Sequence, residues 1–259
     1  MRQNRWGALL SDLVLETEGL TKEFRGFVAV NDVNLKVQRG SIHALIGPNG
    51  AGKTTVFNLL TKFLQPTTGH VRFNGRDITR AKPAEIARMG VVRSFQISAV
   101  FPHLTVLENV RVALQAPSPK VFHFWRSVRE MDYLDERAKQ LVEDVGLGPF
   151  LHTPAVELSY GRKRALEIAT TLALDPDLML LDEPTQGMGH EDVGRIIDLI
   201  RRVREGRTIL MVEHNMSVVS GLSDTITVLQ RGQILAEGPY DVVSNNPDVI
   251  EAYMGTGHG

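Results

Sequence analysis

A glycine-rich stretch between an apolar run and helix-forming residues carries the clearest chemistry in the sequence. The segment "LIGPNGAGKTTVFNLL" (45–60) contains the pattern GxxxxGK[ST], with Gly47, Gly52, Lys53 and Thr54 in register. Loops of this pattern wrap backbone N–H groups around phosphates, and the following helix directs its positive end at the same charge. The lysine reaches the β- and γ-phosphates, and the hydroxyl after it ligates Mg²⁺. The segment therefore predicts a site for a magnesium-bound nucleoside triphosphate.

Two acids stand at the end of a second apolar run. In "LMLLDEP" (178–184), four apolar residues precede Asp182 and Glu183, and Pro184 ends the predicted strand. At the mouth of a parallel sheet, Asp182 can hold Mg²⁺ through its water shell, and Glu183 can accept a proton from an attacking water. A single acid is usually a solvated surface group, but this pattern downstream of a phosphate loop predicts metal-binding and general-base roles.

A second helix N-terminus offers another anion site. The segment "ELSYGRKRALEIATTLAL" (157–174) opens with Ser159, a favourable N-cap, and Gly161 leaves the backbone open. Taken alone, the segment is also typical of a capped core helix. If both anion sites serve one phosphate, and the second belongs to another lobe of the chain, the simplest arrangement is a dimer in which each Ser159 helix covers the nucleotide of the other subunit.

The elements that would position these residues form an α/β core. The apolar runs "SIHALIG" (41–47), "LMLLDEP" and "TILMVEH" (208–214) predict strands buried on both faces, and "GRIIDLIRRVREG" (194–206) predicts a helix between the last two, which indicates a parallel sheet. Alternating segments predict antiparallel strands before and after the phosphate loop, and short helices and a closing hairpin complete the core. The antiparallel strands are predicted in "LVLETEGLTKEF", "VNLKVQRG" and "GHVRFNGRDI", the short helices in "PAEIARMG" and "PDVIEAYMG", and the hairpin in "DTITVLQRGQILAEG".

The middle of the chain differs from the α/β core in that its pattern predicts helices and no strands. Segments 105–115 and 127–147 have helical spacing and many charges, and the connection between them holds the aromatic cluster Phe122, Phe124 and Trp125. We expect the 117–126 segment to anchor its own loop, with contact to a partner as the alternative. We predict an N-terminal tail at 1–12, an α/β core with an antiparallel β subdomain at 13–97 and 166–259, and an inserted helical subdomain at 98–165.

The bulk composition excludes several classes of protein. The 259 residues carry a formal net charge of −1, so the overall charge of the protein does not attract nucleic acid or an anionic membrane. No cysteine is present, which excludes disulfides and thiolate chemistry and fits a reducing compartment. We also find no signal peptide and no run of about 18 apolar residues free of charge.

Five motifs, in order along nearly the whole chain, resemble those of the ATP-binding cassette (ABC) ATPases: "GPNGAGKTT", "RSFQ", "LSYGR", "LMLLDEP" and "VEHNM". The resemblance implies a P-loop NTPase core with an inserted helical lobe. In detail, "ARMGVVRSFQ", "LSYG" and "NNPDVIEAYMG" look like the ATP-binding subunits of branched-chain (hydrophobic) amino-acid importers. Urea and amide importer subunits share much of this pattern and are the alternative.

By that resemblance, further residues take roles in the site. Phe24 would stack on adenine, with Phe27 as the alternative; Gln96 would contact Mg²⁺ or the attacking water; and His214 would bond the γ-phosphate and orient Glu183. ATP and Mg²⁺ are the implied cofactors. The remaining residues implied to contact nucleotide are Pro48, Asn49, Gly50, Ala51 and Thr55 of the loop, and Ser159, Tyr160 and Gly161 of the second cassette.

The resemblance also implies partners. These are a second cassette (a copy of this chain or a sister chain), integral-membrane permease subunits and, indirectly, a periplasmic solute-binding protein, with the chain in the cytoplasm on the inner face of the inner membrane. No nucleic-acid partner is expected, although a soluble ABC ATPase acting on nucleic acid or ribosomes is a competing interpretation. Two positions depart from the family pattern: Gly189 replaces a polar residue that communicates across the dimer, with His190, Glu191 or Asp192 as possible substitutes, and Arg162 replaces a common glutamine near the second subunit's phosphates.

Overall fold

The computed structural model describes residues 12–94, 100–115 and 128–254. Three predictions therefore lie outside the described residues: the N-terminal tail up to residue 11, the role of Gln96, and the aromatic segment at 117–126. Within the described ranges, every helix is too short or too polar to cross a lipid bilayer.

Strands and helices alternate through most of the chain. The strands are β1 (Leu13–Phe24), β2 (Phe27–Val33), β3 (Lys36–Gln38), β4 (Ile42–Ile46), β5 (Thr68–Phe73), β6 (Arg76–Asp77), β7 (Val91–Arg93), β8 (Leu178–Asp182), β9 (Thr208–Val212), β10 (Thr225–Gln230) and β11 (Gln233–Gly238). The helices are α1 (Lys53–Leu60), α2 (Pro83–Arg88), α3 (Val106–Gln115), α4 (Val128–Asp144), α5 (Tyr160–Leu172), α6 (His190–Val203), α7 (Met216–Leu222), α8 (Tyr240–Ser244) and α9 (Pro247–Met254).

The central sheet has six strands in the order β11-β10-β4-β9-β8-β7. Its strands from β10 to β7 are parallel, and only β11 pairs antiparallel, with β10. Parallel pairing directs the carboxyl ends of β4, β8 and β9 to one edge, where ligands bind in open α/β sheets. The parallel sheet predicted from the apolar runs is confirmed.

Burial on both faces explains why the central strands are almost continuously apolar. Every residue of β4 and of β9 is buried. Their side chains alternate between two cores: Leu45 and Leu210 pack with α1 and the antiparallel sheet, whereas Ala44 and Met211 pack with α3 to α7. Removing both faces from water is the main favourable contribution to the stability of such a sheet.

The second sheet is antiparallel, in the order β2-β1-β5-β6 with β3 also paired to β1. It confirms the predicted antiparallel β subdomain. Strand β2 was not predicted, and the segment at 33–40 forms only the three-residue β3. The pairing of β1 with β2 is irregular around Asp32, which has a left-handed φ of 53°: Lys22 pairs with Val30, and Leu20 pairs with Val33 after a register shift.

Helices α3, α4 and α5 pack against one another, as expected for a helical lobe, but their core is continuous with that of the sheet. Val110, Leu141 and Leu166 belong to the same buried cluster as Met179 of β8. Helix α5 also runs through residue 165, where the predicted subdomain boundary lies. The division at 98–165 stays a prediction.

Helix α6 starts four residues earlier than predicted, at His190, with Glu191 and Asp192 in its first turn, where acids are favourable.

A buried histidine lies in the strand that leads to the glycine-rich loop. His43 of β4 is 1% exposed, and its Nε2 lies 2.7 Å from the hydroxyl oxygen of Thr227, which in turn donates to Glu237 at 2.5 Å. Because the single hydroxyl proton goes to Glu237, the hydroxyl accepts from Nε2–H, and Nδ1 meets no hydrogen-bond partner among the described residues. Burial lowers the pKa of His43 to about 4.

This histidine makes stability depend on pH. Its folded pKa lies below the unfolded value, so the unfolded chain binds more protons as the pH falls below about 6.5, and stability is lost in that direction. Between about pH 7.5 and pH 5, we expect His43 to remove about 2 kcal/mol of unfolding free energy. Urea titrations at both pH values measure the loss, and His43→Gln should reduce it by that amount. An equal pH dependence in the variant would contradict the assignment.

Candidate nucleotide-binding site

The glycine-rich loop joins the end of β4 to the start of α1 and fits only without side chains at two positions. A Cβ on Gly47 would lie 2.2 Å from the carbonyl oxygen of Leu229, and one on Gly52 would lie 2.7 Å from that of Ala29. Both residues also have left-handed φ values, 150° and 101°. The N–H of Gly232 donates to the carbonyl of Ala51 at 3.0 Å and ties the loop to the turn between β10 and β11. The loop is therefore held in place by β2 and by the turn between β10 and β11.

Lys53 extends across this loop. Its ammonium donates to the carbonyl oxygens of Gly47 at 2.6 Å and Pro48 at 3.0 Å. Burial lowers the pKa of Lys53, and the negative charge of Glu183 acts in the opposite direction. The first N–H groups of α1 have no acceptor inside the helix, so they add donors beside this cation. The loop thus combines a positive charge and backbone donors, as phosphate binding requires.

The C-terminal helix also reaches the loop. Tyr253 of α9 forms a hydrogen bond with the Gly47 backbone, and this bond partly offsets the burial that raises the pKa of the phenol. A cavity of about 480 Å³ lies between α9 and the loop, lined by Pro48 to Ala51 and by Asp248 and Glu251. The last described helix is therefore a neighbour of the glycine-rich loop.

Both acids stand at the carboxyl end of β8, as predicted. Asp182 is the last residue of the strand, and the N–H of Glu183 donates to the carbonyl of Val212 at 2.9 Å. Glu183 has a left-handed φ of 45°, which costs a non-glycine residue about 1–3 kcal/mol. The negative charge of Glu183 raises the pKa of Lys53, in opposition to burial, so the acid and the lysine belong to the same site.

Asp182 has a partner that the sequence did not reveal. The guanidinium of Arg93, at the end of β7, forms an ion pair with Asp182 Oδ2 and donates to Asn58 Oδ1 at 2.7 Å. The arginine also lies over the Phe57 ring, 5.8 Å from its centroid. Arg93 therefore connects α1 to the acid strand. Its strand has only three residues, which is too short for a periodic signal.

The buried acid Glu213 is a second site residue that the sequence motifs did not indicate. One carboxylate oxygen accepts from the N–H of Thr185 at 3.1 Å and from its hydroxyl at 2.5 Å. The other accepts from the N–H groups of His214 at 3.0 Å and Asn215 at 3.1 Å. Glu213 is fully buried, and its carboxylate joins the loop after β8 to the loop after β9. This places His214 beside the acid strand, with its side chain exposed.

The predicted second anion site begins α5. Ser159 occupies the N-cap with extended backbone, but its side chain forms no cap hydrogen bond, so the predicted side-chain cap is wrong. Ser159 and Tyr160 are exposed, where water competes for the hydroxyl, while Gly161 is buried against Asp192, with a Cβ position 3.0 Å from that carboxylate. Arg162 holds its guanidinium 4.0 Å from the Phe150 ring centroid.

The same helix is bonded to the acid strand through Arg164. Its guanidinium donates to the carbonyl oxygens of Asp182 at 2.7 Å, Glu183 at 3.2 Å and Pro184 at 3.2 Å, and to Glu167 Oε2 at 2.5 Å. Arg164 is 5% exposed, so these bonds lie inside the protein. No described hydrogen bond joins Ser159, Tyr160 or Gly161 to the glycine-rich loop of the same chain.

The two candidate aromatic residues lie side by side. Phe24 and Phe27 are cross-strand neighbours at the β1–β2 turn, and they are 40% and 68% exposed. The ammonium of Lys22 lies 5.2 Å from the centroid of the Phe24 ring. Strand β2 passes the glycine-rich loop at Ala29, so the hairpin stands next to the loop. Either ring is accessible for stacking on a base.

Gly189 is the N-cap residue of α6, and a Cβ there would meet open space. A side chain is therefore sterically permitted at this position. Among the predicted substitutes, Glu191 pairs with Arg195 of its own helix at 2.5 Å, and Asp192 packs against Gly161. The Asp192 contact links the start of α6 to the start of α5.

A glycine loop, an acid strand and a second helix N-terminus on one α/β sheet define the ATP-binding cassettes of the P-loop class. The ABC transporter family profile matches residues 30–186, and the chain belongs to this family. A second profile, described as branched-chain amino acid ATP-binding cassette transporter, matches residues 233–259.

Individual proteins similar to this chain indicate which class of ABC transporter it resembles. The chain is 42% identical to the high-affinity branched-chain amino acid transport ATP-binding protein BraF of Pseudomonas aeruginosa, over 95% of this chain and 99% of the relative. It is 41% identical to the corresponding protein LivG of Escherichia coli K12, with the same coverage. Its fold is similar to the crystal structure of the ADP conformation of MJ1267, an ATP-binding cassette of an ABC transporter, with a TM-score of 0.83 and 33% identity over 95% of this chain and all of that one. The predicted family and fold are confirmed.

Replacing Glu213 tests whether its carboxylate holds together the loops that follow β8 and β9. In Glu213→Gln, the amide directs two donors at groups that are themselves donors, so we expect a loss of about 1–3 kcal/mol of stability. ATP hydrolysis should fall further than the loss of folded protein explains, because the loops that carry Glu183 and His214 separate. Urea unfolding and steady-state ATPase rates measure both effects. Glu205→Gln, at an exposed position, is the matched control; a Glu213 variant equal to it in both measurements would refute the role.

Proposed function

We propose that this chain is the ATP-hydrolysing subunit of an importer for branched-chain or other small hydrophobic amino acids. The observation that carries the proposal is identity of 41–42% to transport ATP-binding proteins of that class over 95% of the chain. The match of the C-terminal residues 233–259 to a profile of the same transporter class supports it independently of the common cassette motifs.

ATP would occupy the concave side of the glycine-rich loop. Pro48 to Ala51 and the first residues of α1, including Thr55, would surround the phosphates, with Lys53 neutralising their charge. Adenine would stack on Phe24 or Phe27, which stand together at the neighbouring hairpin. The half-buried Lys53 fits this role, because a phosphate would replace the two carbonyl oxygens that its ammonium now meets.

Mg²⁺ would be held between protein and phosphate. The described residues contain no cluster of three or more His, Asp or Glu side chains that would cage a metal ion. Magnesium in sites of this kind takes most of its ligands from phosphate and water, so the Thr54 hydroxyl and the Asp182 carboxylate are a sufficient donor set. The Arg93 pair uses Asp182 Oδ2, which leaves Oδ1 for the water shell of the ion. Gln96 would be a further ligand.

Glu183 would act as general base for water attack, and His214 would orient it and bond the γ-phosphate. Positioning and charge neutralisation supply most of the rate in phosphoryl transfer. The strained turn at Glu183 and the Glu213 carboxylate are consistent with this requirement, because both restrict where the two side chains lie.

A second cassette would complete the site with its Ser159, Tyr160 and Gly161. Cassettes of this family work as dimers with membrane permease subunits. In this chain the first turn of α5 is exposed at Ser159 and Tyr160, and the serine hydroxyl does not cap its own helix. Its donors are therefore available to a phosphate on another chain. The chain would lie on the cytoplasmic face of the inner membrane, bound to permeases that receive solute from a periplasmic binding protein.

Replacement of the general base should trap the ATP-bound dimer. We expect Glu183→Gln to retain ATP binding, to lose roughly 10²–10⁴-fold in hydrolysis rate and to elute as a dimer with Mg-ATP. Gel filtration with and without Mg-ATP, together with phosphate release, measures both. Glu205→Gln, at an exposed position to which no role in the site is assigned, should hydrolyse ATP as the unaltered chain does. An unchanged rate in Glu183→Gln would exclude this residue as the base.

Transport itself is tested with the permeases. Affinity purification of the chain from membranes should retain integral-membrane subunits, and vesicles that contain this complex, supplied with the solute-binding protein, should accumulate leucine, isoleucine or valine in an ATP-dependent way. The panel should include urea and short amides. Uptake of urea or amides alone would assign the chain to the alternative importer class, and a chain that retains no membrane subunit would contradict the importer function.

A further inference from the structure

The C-terminal helix α9 is anchored beside the glycine-rich loop by apolar packing. Val249 and Ala252 are each 4% exposed, and the Tyr253 ring packs against the buried cluster that includes Ile46, the last residue of β4. The cavity of about 480 Å³ described above separates α9 from the part of the loop between residues 48 and 51. Helix and loop are therefore neighbours whose direct contact lies at Tyr253.

A hydrogen bond joins α9 to the first glycine of the loop. The bond between the Gly47 backbone and the Tyr253 phenol lowers the pKa of that phenol. A hydrogen bond has this effect when the phenol oxygen accepts it, because the bond then stabilises the phenolate. The donor is therefore the N–H of Gly47. Within the described ranges, this N–H meets no backbone acceptor, so the phenol is the group that satisfies it.

Gly47 is thus held from both sides. Its N–H is bonded to Tyr253, and its carbonyl oxygen accepts from the Lys53 ammonium at 2.6 Å. The two bonds restrain two successive peptide planes, and the flexible backbone of a glycine lies between them. A side chain cannot restrain this position, because a Cβ on Gly47 would lie 2.2 Å from the carbonyl oxygen of Leu229. The conformation at the start of the loop therefore depends on these bonds.

Phosphate binding would remove one of the two restraints. Lys53 would leave the Gly47 carbonyl for the β- and γ-phosphates, as proposed above, and Tyr253 would remain as the side chain that holds Gly47. The phenol bond is partly redundant while Lys53 also holds this glycine, and it is not redundant once nucleotide is bound. It therefore stabilises the bound state more than the free state, and such a difference raises affinity.

The charges around the cavity indicate that α9 acts on the loop and does not bind phosphate itself. Asp248 and Glu251 of α9 line the cavity, opposed by Arg231 of the turn between β10 and β11. Two carboxylates against one guanidinium give this side of the loop a negative charge, which is unfavourable for a triphosphate. The helix therefore affects the nucleotide through the loop.

We propose that Tyr253 is a positioning residue of the nucleotide site: by accepting from the N–H of Gly47, its phenol fixes the start of the glycine-rich loop and raises affinity for ATP and ADP without taking part in hydrolysis. The inference rests on the ATP site proposed above and is independent of the transported solute. Tyr253 lies within residues 233–259, which match the branched-chain transporter profile, and outside residues 30–186, which match the general cassette profile. The contact therefore belongs to the part of the chain that distinguishes this class of cassette.

The decisive variant is Tyr253→Phe, which keeps the packed ring and removes only the acceptor. The matched control is Tyr240→Phe, the same change on α8, at a side chain that is 37% exposed and does not line the cavity. Calorimetric titration with Mg-ADP gives the Kd, and phosphate release gives KM and kcat for Mg-ATP. Urea unfolding checks that each variant is folded, and the proteins carry no C-terminal tag.

We expect Tyr253→Phe to raise the Kd of Mg-ADP and the KM for ATP at least about threefold each. Its kcat should stay within about twofold, because the phenol acts on the loop and not on Asp182 or Glu183. Tyr240→Phe should leave all three constants within about twofold of the unaltered chain. A fall in kcat with unchanged Kd and KM would overturn the proposal, as would equal effects of the two variants.

Failure of the ATP site itself would look different. An unaltered chain that bound neither nucleotide would show that the site proposed above is wrong, and this inference would fall with it. Normal binding by the unaltered chain, together with equally tight binding by Tyr253→Phe, would overturn this inference alone.

Amide hydrogen exchange at Gly47, measured by NMR, tests the bond in the unaltered chain and does not need the variant to fold. We expect the Gly47 amide to be protected both in the nucleotide-free chain and in the Mg-ADP complex. In the Mg-ADP complex of Tyr253→Phe, its protection should fall at least about tenfold relative to that of the Leu59 amide inside α1. A Gly47 amide that exchanges in the unaltered chain as fast as an exposed amide would overturn the proposal.

Discussion

The buried carboxylate of Glu213 is the interaction on which the arrangement of the site depends. Parallel strands bring β8 and β9 to one edge of the sheet, but they do not determine how the following loops turn. Four hydrogen bonds from Thr185, His214 and Asn215 join those loops through one side chain. Because both carboxylate oxygens are satisfied and shielded from water, the position of each loop depends on the other.

Arg164 extends this framework to the helix that begins the proposed contact with a second cassette. It binds three successive carbonyls after β8 from within α5. The exposed turn at Ser159 and the strained turn at Glu183 therefore belong to one bonded unit. In a dimer, the part of the chain that touches the other subunit's nucleotide would be attached to the acid that acts on its own nucleotide.

The long buried strands, the glycine-rich loop and the acid pair were predictable, because apolar runs and glycine spacing are local signals. The helices at 105–115 and 157–174 were predictable for the same reason. Strands β2 and β7 and helix α7 were not, since short elements depend on their neighbours more than on their own pattern. Arg93, Arg164 and Glu213 were also missed as parts of the site, because their importance comes from partners far away in sequence.

Two expectations show the limit of local reasoning. Ser159 has the residue type and backbone of an N-cap, yet its hydroxyl does not bond the first turn. Asp182 has the position of a metal-binding acid, yet it also pairs with an arginine from another strand. In both residues the chain position was predictable and the partner was not.

The contact between Tyr253 and Gly47 affects how the protein is handled in the laboratory. The final described helix ends one residue after a side chain that is bonded to the glycine-rich loop. We expect a bulky tag fused directly after α9 to crowd the contact between Tyr253 and Gly47 and so to change ATP affinity. A fusion partner at this end would need a long flexible spacer, and measurements of nucleotide binding are best made after its removal.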